Sequence, residues 1–502
     1  MAVLLNRSRL DVGAVAHGSR VRFVGLVRDV GQPQLFVQAD DSYVETTPHR
    51  VEALPAQTAW AKEHDHVAPP ELAPAARKAK RRLEDESSAE TEDADAILPP
   101  PAPATRIVEA AKVTAPPLAP RVFEVIVRAY GGEQWKVNHV YEFIGDLDLT
   151  PQATSDDMDI EWQDADTAVV KEKAQVLEFI PTLHAKEFHE LPFGHEVGYS
   201  SELPTTWAMA QWEQRMGTPV GVDAVRAALL EFLTATVTHG DALAAEYLLL
   251  VLLSRVYNRS DVSMPFGHLS LNLIWPDMTD ENFATIERAL HLVVPTCLSV
   301  NLSLAGLHDA LYFPQKDYDI EYLHSGLLQL PDGSMLLVNE ANMTTGQLDD
   351  KATHNIAALM TLVEHQALPY DFRFYKKEFN QDTKVLCVSK TKSMLPTTLF
   401  VPLRPTQAQE TSWTEAWLEC FRIYLAAYRH AVADLGEAGA SLAEQWYVAK
   451  RKEDATVGAD DLHRLVRVAR LHAVSVGHET VSEADWNHVV AMQEQVKARM
   501  SS

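Results

Sequence analysis

Apolar residues recur at helical spacing in the middle of the chain. Residues 222–240 place them on one face, Gly240 ends the pattern, and Asp241 stands where the cap of a second helix over 241–259 is expected. The second segment is apolar on nearly every side. This predicts a helix that is buried deep in the fold.

Short apolar runs rich in β-branched residues alternate with further helical patterns. The runs cover residues 268–275, 297–304, 334–340 and 384–389, and the helical patterns among them cover residues 281–292 and 352–368. Buried strands that alternate with helices favour an α/β fold with a largely parallel sheet. From residue 411 onward the pattern is helical, which predicts a C-terminal helical lid.

Two β-rich halves flank a different kind of sequence near the N-terminus. Residues 21–30, 121–130 and 135–149 have strand-like patterns, whereas 54–118 is rich in Pro, Ala, Lys and Glu. We therefore predict a small OB-like β-barrel split by a disordered insert. The predicted domains are a split β domain (1–53 plus 119–150), a linker (54–118), a mixed connecting region (151–222), an α/β core (223–410) and a helical lid (411–502).

A basic cluster lies inside the insert and is followed by an acidic run over residues 84–95. The cluster consists of Arg77, Lys78, Lys80, Arg81 and Arg82. Such a cluster on a disordered segment is typical of a nuclear-import signal or a nucleic-acid contact, and the alternative is a solvated charge run. Because the neighbouring acids oppose phosphate binding, we predict import and a nuclear location.

The overall charge narrows the possible partners. Among 502 residues, 70 are acidic and 44 basic, so the net charge is −26. This field disfavours a grip on a phosphate backbone and points to a protein partner, with no direct nucleic-acid binding expected. The alternative is single-strand binding by barrel aromatics, which in so small a barrel more often form the core. These aromatics are Phe23, Phe36, Trp135 and Tyr141.

Metal and membrane signals are weak. The three cysteines form no CxxC pair and fit a reducing compartment. His184, His189 and His195 do not share a helix face, so we expect no metal there. The apolar stretch 242–253 is too short to span a bilayer, and the N-terminal apolar run is too short for a signal peptide. We expect a soluble intracellular protein that has no membrane partner.

The order of helix, sheet and helical lid is typical of a nucleotide-switch ATPase, but the chemistry of that site is incomplete. A phosphate-binding loop reads GxxxxGKS or GxxxxGKT, and the chain has neither. The nearest stretch is 240–250, where Glu246 adds negative charge. Strand 334–340 ends in Asn339 where an Asp would hold magnesium, which leaves only Glu340 as a possible water activator. We predict no catalytic residues, no cofactor and no enzyme activity.

A basic helix face follows in the lid. Asp460 precedes a segment in which Arg464, Arg467 and Arg470 lie mostly on the face opposite the apolar residues. These arginines either pair with an acidic partner or form an ordinary exposed face.

Several long segments, in order over roughly residues 205–490, resemble the family of minichromosome maintenance complex-binding proteins. They are residues 244–273, 313–340, 346–359, 368–379, 420–430 and 459–486. The resemblance implies a distant kinship with the minichromosome maintenance helicase subunits. It therefore implies a degenerate AAA+-like core with a C-terminal helical lid. The vestigial nucleotide-site positions that it implies are Gly240, Asp241, Asn339, Glu340, Ser389 and Asp460.

The resemblance also implies a function. The protein is expected to be a non-catalytic nuclear regulator of DNA replication and the cell cycle that binds the helicase subunits. It would promote their assembly or chaperoning, or their disassembly and unloading from chromatin, with a role in sister-chromatid cohesion. The alternatives are an ATPase with an irregular site and a single-strand nucleic-acid binder that uses the N-terminal barrel.

Overall fold

The computed structural model describes residues 2–37, 43–65, 123–130, 132–150, 180–259, 265–319, 322–406 and 412–501. The chain divides into two compact units. The first comprises Met1–Pro55, Glu63–Leu191 and Lys316–Leu323, and the second comprises Ala56–Lys62, Pro192–Gln315 and His324–Ser502. Within the described ranges, every helix is too short or too polar to cross a bilayer.

The described helices fall mainly in the second unit. They are α1 (Arg7–Asp11), α2 (Ala59–Asp65), α3 (Thr205–Met216), α4 (Val222–Thr236), α5 (Ala242–Leu253), α6 (Asp280–Val293), α7 (Leu304–Asp309), α8 (Asp350–His365), α9 (Glu415–His430), α10 (Gly436–Glu453), α11 (Ala459–Ser475) and α12 (Glu483–Ser501).

The described strands form a seven-stranded, a five-stranded, a four-stranded and a two-stranded sheet. Those of the first unit's sheet are β1 (Val3–Leu4), β2 (Arg20–Val30), β3 (Gln34–Val37), β4 (Tyr43–Glu52), β5 (Glu124–Tyr130), β6 (Val140–Asp148) and β7 (Thr182–Glu190). Those that follow are β8 (Asn258–Arg259), β9 (Pro265–Phe266), β10 (Ser270–Ile274), β11 (Cys297–Asn301), β12 (Gln315–Asp317), β13 (Tyr322–His324), β14 (Met335–Asn339), β15 (Ala367–Asp371), β16 (Lys376–Asn380), β17 (Lys384–Ser389) and β18 (Leu399–Pro402).

Five strands of the first unit pair in a closed ring. The order is β2-β6-β7-β5-β4, and a β2–β4 pairing closes it. Inward residues such as Val21, Phe143 and Leu183 fill the interior. Gly145 allows a close approach between strands, because a Cβ there would lie 1.9 Å from the His184 carbonyl oxygen, at the bulge between β6 and β7. The two predicted β-rich halves thus pair with each other in one sheet.

Two predicted boundaries are wrong. Strand β7 pairs with both β5 and β6, so the first unit reaches Leu191 rather than residue 150. Residues 59–65 are helical, and the Thr58 hydroxyl donates hydrogen bonds to the Val294 and Pro295 carbonyls at 3.1 Å, so the linker does not begin at residue 54. The rest of the predicted linker, with its basic cluster, lies outside the described residues.

Three of the four aromatic residues that were considered for single-strand binding belong to the core of the first unit. Phe23, Trp135 and Tyr141 are all buried, and Trp135 packs on Phe143 with ring centroids 4.7 Å apart. The side chain of Phe36 lies outside the described residues. Buried rings offer no face to a nucleobase, so the core interpretation is favoured.

A parallel sheet lies at the centre of the second unit. Its strand order is β11-β14-β17-β10-β18, and every neighbouring pair runs parallel. Every residue of β14 and β17 is buried, as near-continuous apolar runs predict for a sheet covered on both faces. The predicted α/β layer is therefore present.

Helix α5 is the most deeply buried helix among those described. It packs on β10 and β17, and only Ala242 and Glu246 of its residues are not fully buried. Its Asp241 cap is confirmed, because the carboxylate accepts a hydrogen bond from the Ala244 amide at 3.2 Å. A helix with apolar residues on every side is stable only in the interior of a protein, which explains the position of α5.

The C-terminal residues are helical, as predicted, but α9 is not a peripheral lid helix. It contacts α3, α4, α5 and α6, and its Phe421 and Tyr424 are fully buried. Helix α11 packs on α5 and α12. The C-terminal helices therefore share one apolar core with the parallel sheet.

Candidate functional site

The carboxyl ends of β10, β14 and β17 lie side by side. Asn339 pairs in register with Val388, and Ile274 with Ser389. In open parallel sheets, ligands usually bind at this edge. Three of the predicted vestigial positions, Asn339, Glu340 and Ser389, come together here.

The polar groups at this edge bond one another. The Asn272 amide donates to the Ser389 hydroxyl at 2.7 Å, and its carbonyl oxygen accepts from the Ser393 amide at 3.1 Å. The Asn339 side chain donates to Asn301 Oδ1 at 2.9 Å and accepts from the Ala341 amide at 3.0 Å. These bonds use the groups that a magnesium-bound phosphate would require.

Glu340 is also engaged, by the loop that follows β17. One carboxylate oxygen accepts from the Ser393 hydroxyl, and the other accepts from the Met394 amide at 3.1 Å. Burial raises the pKa of Glu340, and the two hydrogen bonds, which lower it, offset only part of this effect. A carboxylate covered in this way can orient a loop, but its two oxygens do not face an open site.

The connection from β10 to α6 is too short for a phosphate-binding loop. It consists of residues 275–279, whereas the motif that wraps phosphates has eight positions. The Thr279 hydroxyl caps α6 by accepting from the Asn282 amide at 3.2 Å, and Asp280 and Glu281 occupy the first turn. Acidic side chains thus already occupy the helix end that would attract an anion.

The structure corrects the position predicted for the vestigial loop. A phosphate-binding loop joins a strand to a helix, but Gly240 and Asp241 join helix α4 to helix α5. The prediction that residues 240–250 correspond to that loop is therefore wrong. Gly240 has another role: its φ is +94°, and a Cβ would lie 1.8 Å from the Thr406 hydroxyl oxygen.

Asp241 holds the start of α5 in place. Its carboxylate forms an ion pair with Arg499 of α12 and accepts from the Arg404 amide at 2.9 Å. The side chain is almost completely buried, with 2% of it exposed. The N-terminus of α5 is therefore filled by the protein's own carboxylate and guanidinium.

Asp460 is the last of the predicted vestigial positions. It lines a cavity of about 500 Å³. Apolar and cationic side chains share its wall. The cationic ones are Arg255, Arg429, Arg464, Arg467 and Arg470, with His463 beside them. Asp460 is the one acid that lines it among the described residues. We call this cavity the arginine groove.

The arginines of the groove differ in their partners. Arg429 pairs with Asp382 at 2.6 Å, and Arg464 pairs with Asp461. Arg467 donates to the His268 carbonyl at 2.9 Å, and Arg470 donates to the Ala433 carbonyl at 2.8 Å; within the described ranges, neither has a carboxylate partner. Burial lowers the pKa of Arg467, and the neighbouring Arg464 lowers it further.

Exposed apolar side chains form the rim of the groove. Tyr257, Phe266 and Val432 line it and are 48%, 44% and 57% exposed. The combination of apolar rim and concentrated positive charge suits an acidic chain with an apolar anchor.

Sequence reasoning found part of this groove. The spacing of Arg464, Arg467 and Arg470 indicated a basic helix face, and the structure places all three on one wall. Arg255 and Arg429 come from segments distant in sequence, and no local pattern joined them to that face.

Of the three histidines at which no metal was expected, two have structural partners and the third is exposed. The ring of His184 bonds the Tyr130 hydroxyl and lies 3.6 Å from Asp148, while His195 contacts the Pro192 carbonyl at 3.1 Å. His189 lies exposed on β7. Among the described residues, the one group of three or more metal-ligand side chains is elsewhere, at Glu246, His472 and His488.

Comparison with known proteins identifies the family. A family model described as "Mini-chromosome maintenance replisome factor" matches residues 39–500. The chain belongs to this family. The match confirms the resemblance inferred from the long segments of residues 205–490 and extends it into the barrel.

Relatives in this family agree. A mini-chromosome maintenance complex-binding protein of Arabidopsis thaliana is 32% identical over 370 residues, which cover 73% of this chain and 61% of the relative. Proteins of the same name from Gallus gallus and Mus musculus are 34% and 35% identical over 287 residues, or 55% of this chain. The chain spans 45% and 44% of those two relatives, about half of their length.

Proposed function

We propose that this chain binds subunits of the minichromosome maintenance helicase and acts on them without catalysis. The relatives' name, mini-chromosome maintenance complex-binding protein, supports the partner. The occupied sheet edge and the short 275–279 connection support a non-enzymatic role. The proposal includes assembly, chaperoning or unloading of the helicase from chromatin, a role in sister-chromatid cohesion, and a nuclear location.

We further propose that the second unit is a degenerate AAA+-like core. Numbered in chain order, its five parallel strands lie in the order 2-3-4-1-5, which supports a kinship with AAA+ ATPases. The closed five-stranded ring of the first unit supports an OB-like barrel. A core that keeps the shape of a helicase subunit could meet its neighbours through a similar heterologous interface.

The arginine groove is the contact surface that we assign to a helicase subunit. The observation that carries this assignment is the concentration of Arg464, Arg467 and Arg470 beside exposed Val432, in a protein with a net charge of −26. A local basic surface on an acidic protein selects an acidic segment against most other surfaces. We therefore expect the partner to insert an apolar side chain flanked by Asp or Glu.

Pull-down of each purified helicase subunit by the full chain tests the binding. Arg464→Glu reverses a charge that is 34% exposed, and Val432→Asp places a charge on the apolar rim. Each should weaken capture at least tenfold. Arg451→Glu and Val448→Asp, on exposed positions of α10 outside the groove, are matched controls that should bind like the wild type.

The outcomes separate the two parts of the proposal. If no subunit is captured by the wild-type chain, helicase binding is wrong. If capture occurs and both groove variants bind normally, the helicase contact lies elsewhere and only the groove assignment fails. Binding through the groove should also weaken as salt rises from 50 to 300 mM, because exposed charges are screened over about 10 Å at 0.1 M.

The nuclear location has its own test. Residues 70–90, which contain the basic cluster, can be fused to a reporter and compared with a fusion in which Lys80, Arg81 and Arg82 are alanine. The wild-type fusion should enter the nucleus, and the alanine fusion should not. Equal cytoplasmic signal from both would remove the import assignment.

A further inference from the structure

A compact set of metal-ligating side chains joins three helices of the second unit. Glu246 comes from the buried α5, His472 from α11 and His488 from α12. One ligand atom from each lies within 4.8 Å of the other two. This set belongs neither to the sheet edge nor to the arginine groove.

The distances between these atoms fit a metal ion. Glu246 Oε1 lies 3.0 Å from His488 Nε2 and 3.7 Å from His472 Nε2. Ligands of tetrahedral zinc, at about 2.0–2.1 Å from the ion, are separated by about 3.3 Å. The two distances lie on either side of this value. His488 is 46% exposed, so its ring can adjust.

The hydrogen bonding of His472 places the ring proton on Nδ1, so that Nε2 carries a lone pair. Asp485 is a carboxylate acceptor, because its oxygens take hydrogen bonds from the Ser482 amide and hydroxyl. It lies 3.0 Å from His472 Nδ1, so this nitrogen carries the proton and donates to it. The Nε2 lone pair then faces Glu246 across 3.7 Å, which is too long for a hydrogen bond.

Glu246 Oε1 is hydrogen-bonded to His488 Nε2 at 3.0 Å, and a metal ion between the rings would replace this bond and also take the His472 lone pair. A histidine that binds a metal through one ring nitrogen commonly donates a hydrogen bond from the other to a carboxylate, which fixes the orientation of the ring. Asp485 is such a carboxylate for His472. Arg226 supplies the equivalent support for Glu246, donating to its Oε1 at 2.7 Å and to the Ser475 hydroxyl at 3.0 Å. The arrangement therefore has both a ligand set and the partners that orient it.

We propose that Glu246, His472 and His488 form a binding site for a divalent transition metal, with zinc as the expected ion. Two imidazole nitrogens and one carboxylate oxygen are ligands that zinc accepts, and a water molecule completes four-coordination. The ion would tie α11 and α12 to α5, the buried helix of the core. Its role is to fasten the C-terminal helices to the parallel-sheet core.

Metal titration of the full chain, purified and treated with chelator, tests the site. Zinc should bind with one equivalent per chain, and Co²⁺ should give the visible absorption of a four-coordinate ion. His488→Asn and Glu246→Gln should weaken binding at least tenfold, whereas His463→Asn, an exposed histidine of α11, should bind like the wild type. Asp485→Asn should weaken it by about 10–100-fold.

A measurement on the wild-type chain avoids any variant that fails to fold. Acylation of histidines by diethyl pyrocarbonate, read by peptide mass spectrometry, should slow at His488 when zinc is added and stay unchanged at His463. The absence of stoichiometric zinc binding would overturn the proposal and leave these residues as an ion-pair cluster. Unchanged binding in the His488→Asn chain, or equal protection of both histidines, would also overturn it.

Discussion

Asp241 and Arg499 form an ion pair across 258 positions of the sequence. The Arg499 Nη2 atom donates a hydrogen bond to Asp241 Oδ1 at 3.0 Å, and Nη1 donates a second one to Oδ2. Asp241 starts the buried helix α5, and Arg499 is near the end of α12, the last helix. The pair therefore locks the C-terminal helix onto the start of the core.

Removing Arg499 should destabilise the protein strongly. Arg499→Gln leaves the Asp241 carboxylate buried without its cation, and breaking a buried pair in this way costs about 3 kcal/mol. Urea denaturation measures the loss in the free energy of unfolding. Arg451→Gln, on the exposed face of α10, is the control and should cost under about 0.5 kcal/mol. Equal stability of the two variants would mean that the pair contributes nothing.

Helix α6 contains two leucines that differ in burial, so the same substitution at each measures the effect of burial on stability. Leu290 is fully buried, whereas Leu292 is 42% exposed. Leu290→Ala removes side-chain contacts and leaves a cavity, so we expect a loss of about 2–5 kcal/mol. Leu292→Ala should cost under about 1 kcal/mol. Similar losses in thermal or urea unfolding would contradict the packing described for α6.

The stability of the first unit should fall in acid because of His49. Burial lowers the pKa of this histidine to about 4, and its Nε2 accepts from the Trp135 amide at 3.3 Å. Between pH 6.5 and 4 the unfolded chain binds a proton that the folded chain does not, so the free energy of unfolding decreases as pH falls. From pH 7 to 5 the expected loss from this residue is about 2 kcal/mol.

His49→Gln checks this origin, because the amide keeps an acceptor for the Trp135 amide but does not titrate. Urea denaturation at pH 7 and pH 5 should show a smaller acid loss in this variant. His463→Gln, at an exposed position, should keep the full wild-type loss. An NMR titration that placed the His49 pKa near 6.5 would contradict the prediction directly.

Nucleotide binding should be absent. The 275–279 connection is too short to wrap phosphates, and Asp280 and Glu281 place negative charge at the start of α6. Equilibrium dialysis with millimolar ATP and magnesium should recover no bound nucleotide, and no phosphate should be released. Stoichiometric binding that is lost on replacing Glu340 with alanine would show that the sheet edge holds ATP after all.

The sequence by itself determined the local elements, because their signals are local. The β-branched run 384–389 became β17 without any change of bounds, and the Asp241 cap stands where the helical period begins. An apolar run can satisfy its backbone and bury its side chains in only a few ways. Family membership also followed from the sequence, through the segments of residues 205–490.

Only the tertiary structure decided which strands lie side by side, and it placed Gly240 and Asp241 between two helices, away from the carboxyl ends of the parallel strands. Strand order, the pairing of β7 with β5 and β6, and the gathering of Arg255 and Arg429 beside Arg467 all join residues that are far apart in the chain. The same holds for Glu246, His472 and His488. Spacing reports only neighbours along a helix or strand, whereas such sites are made by packing.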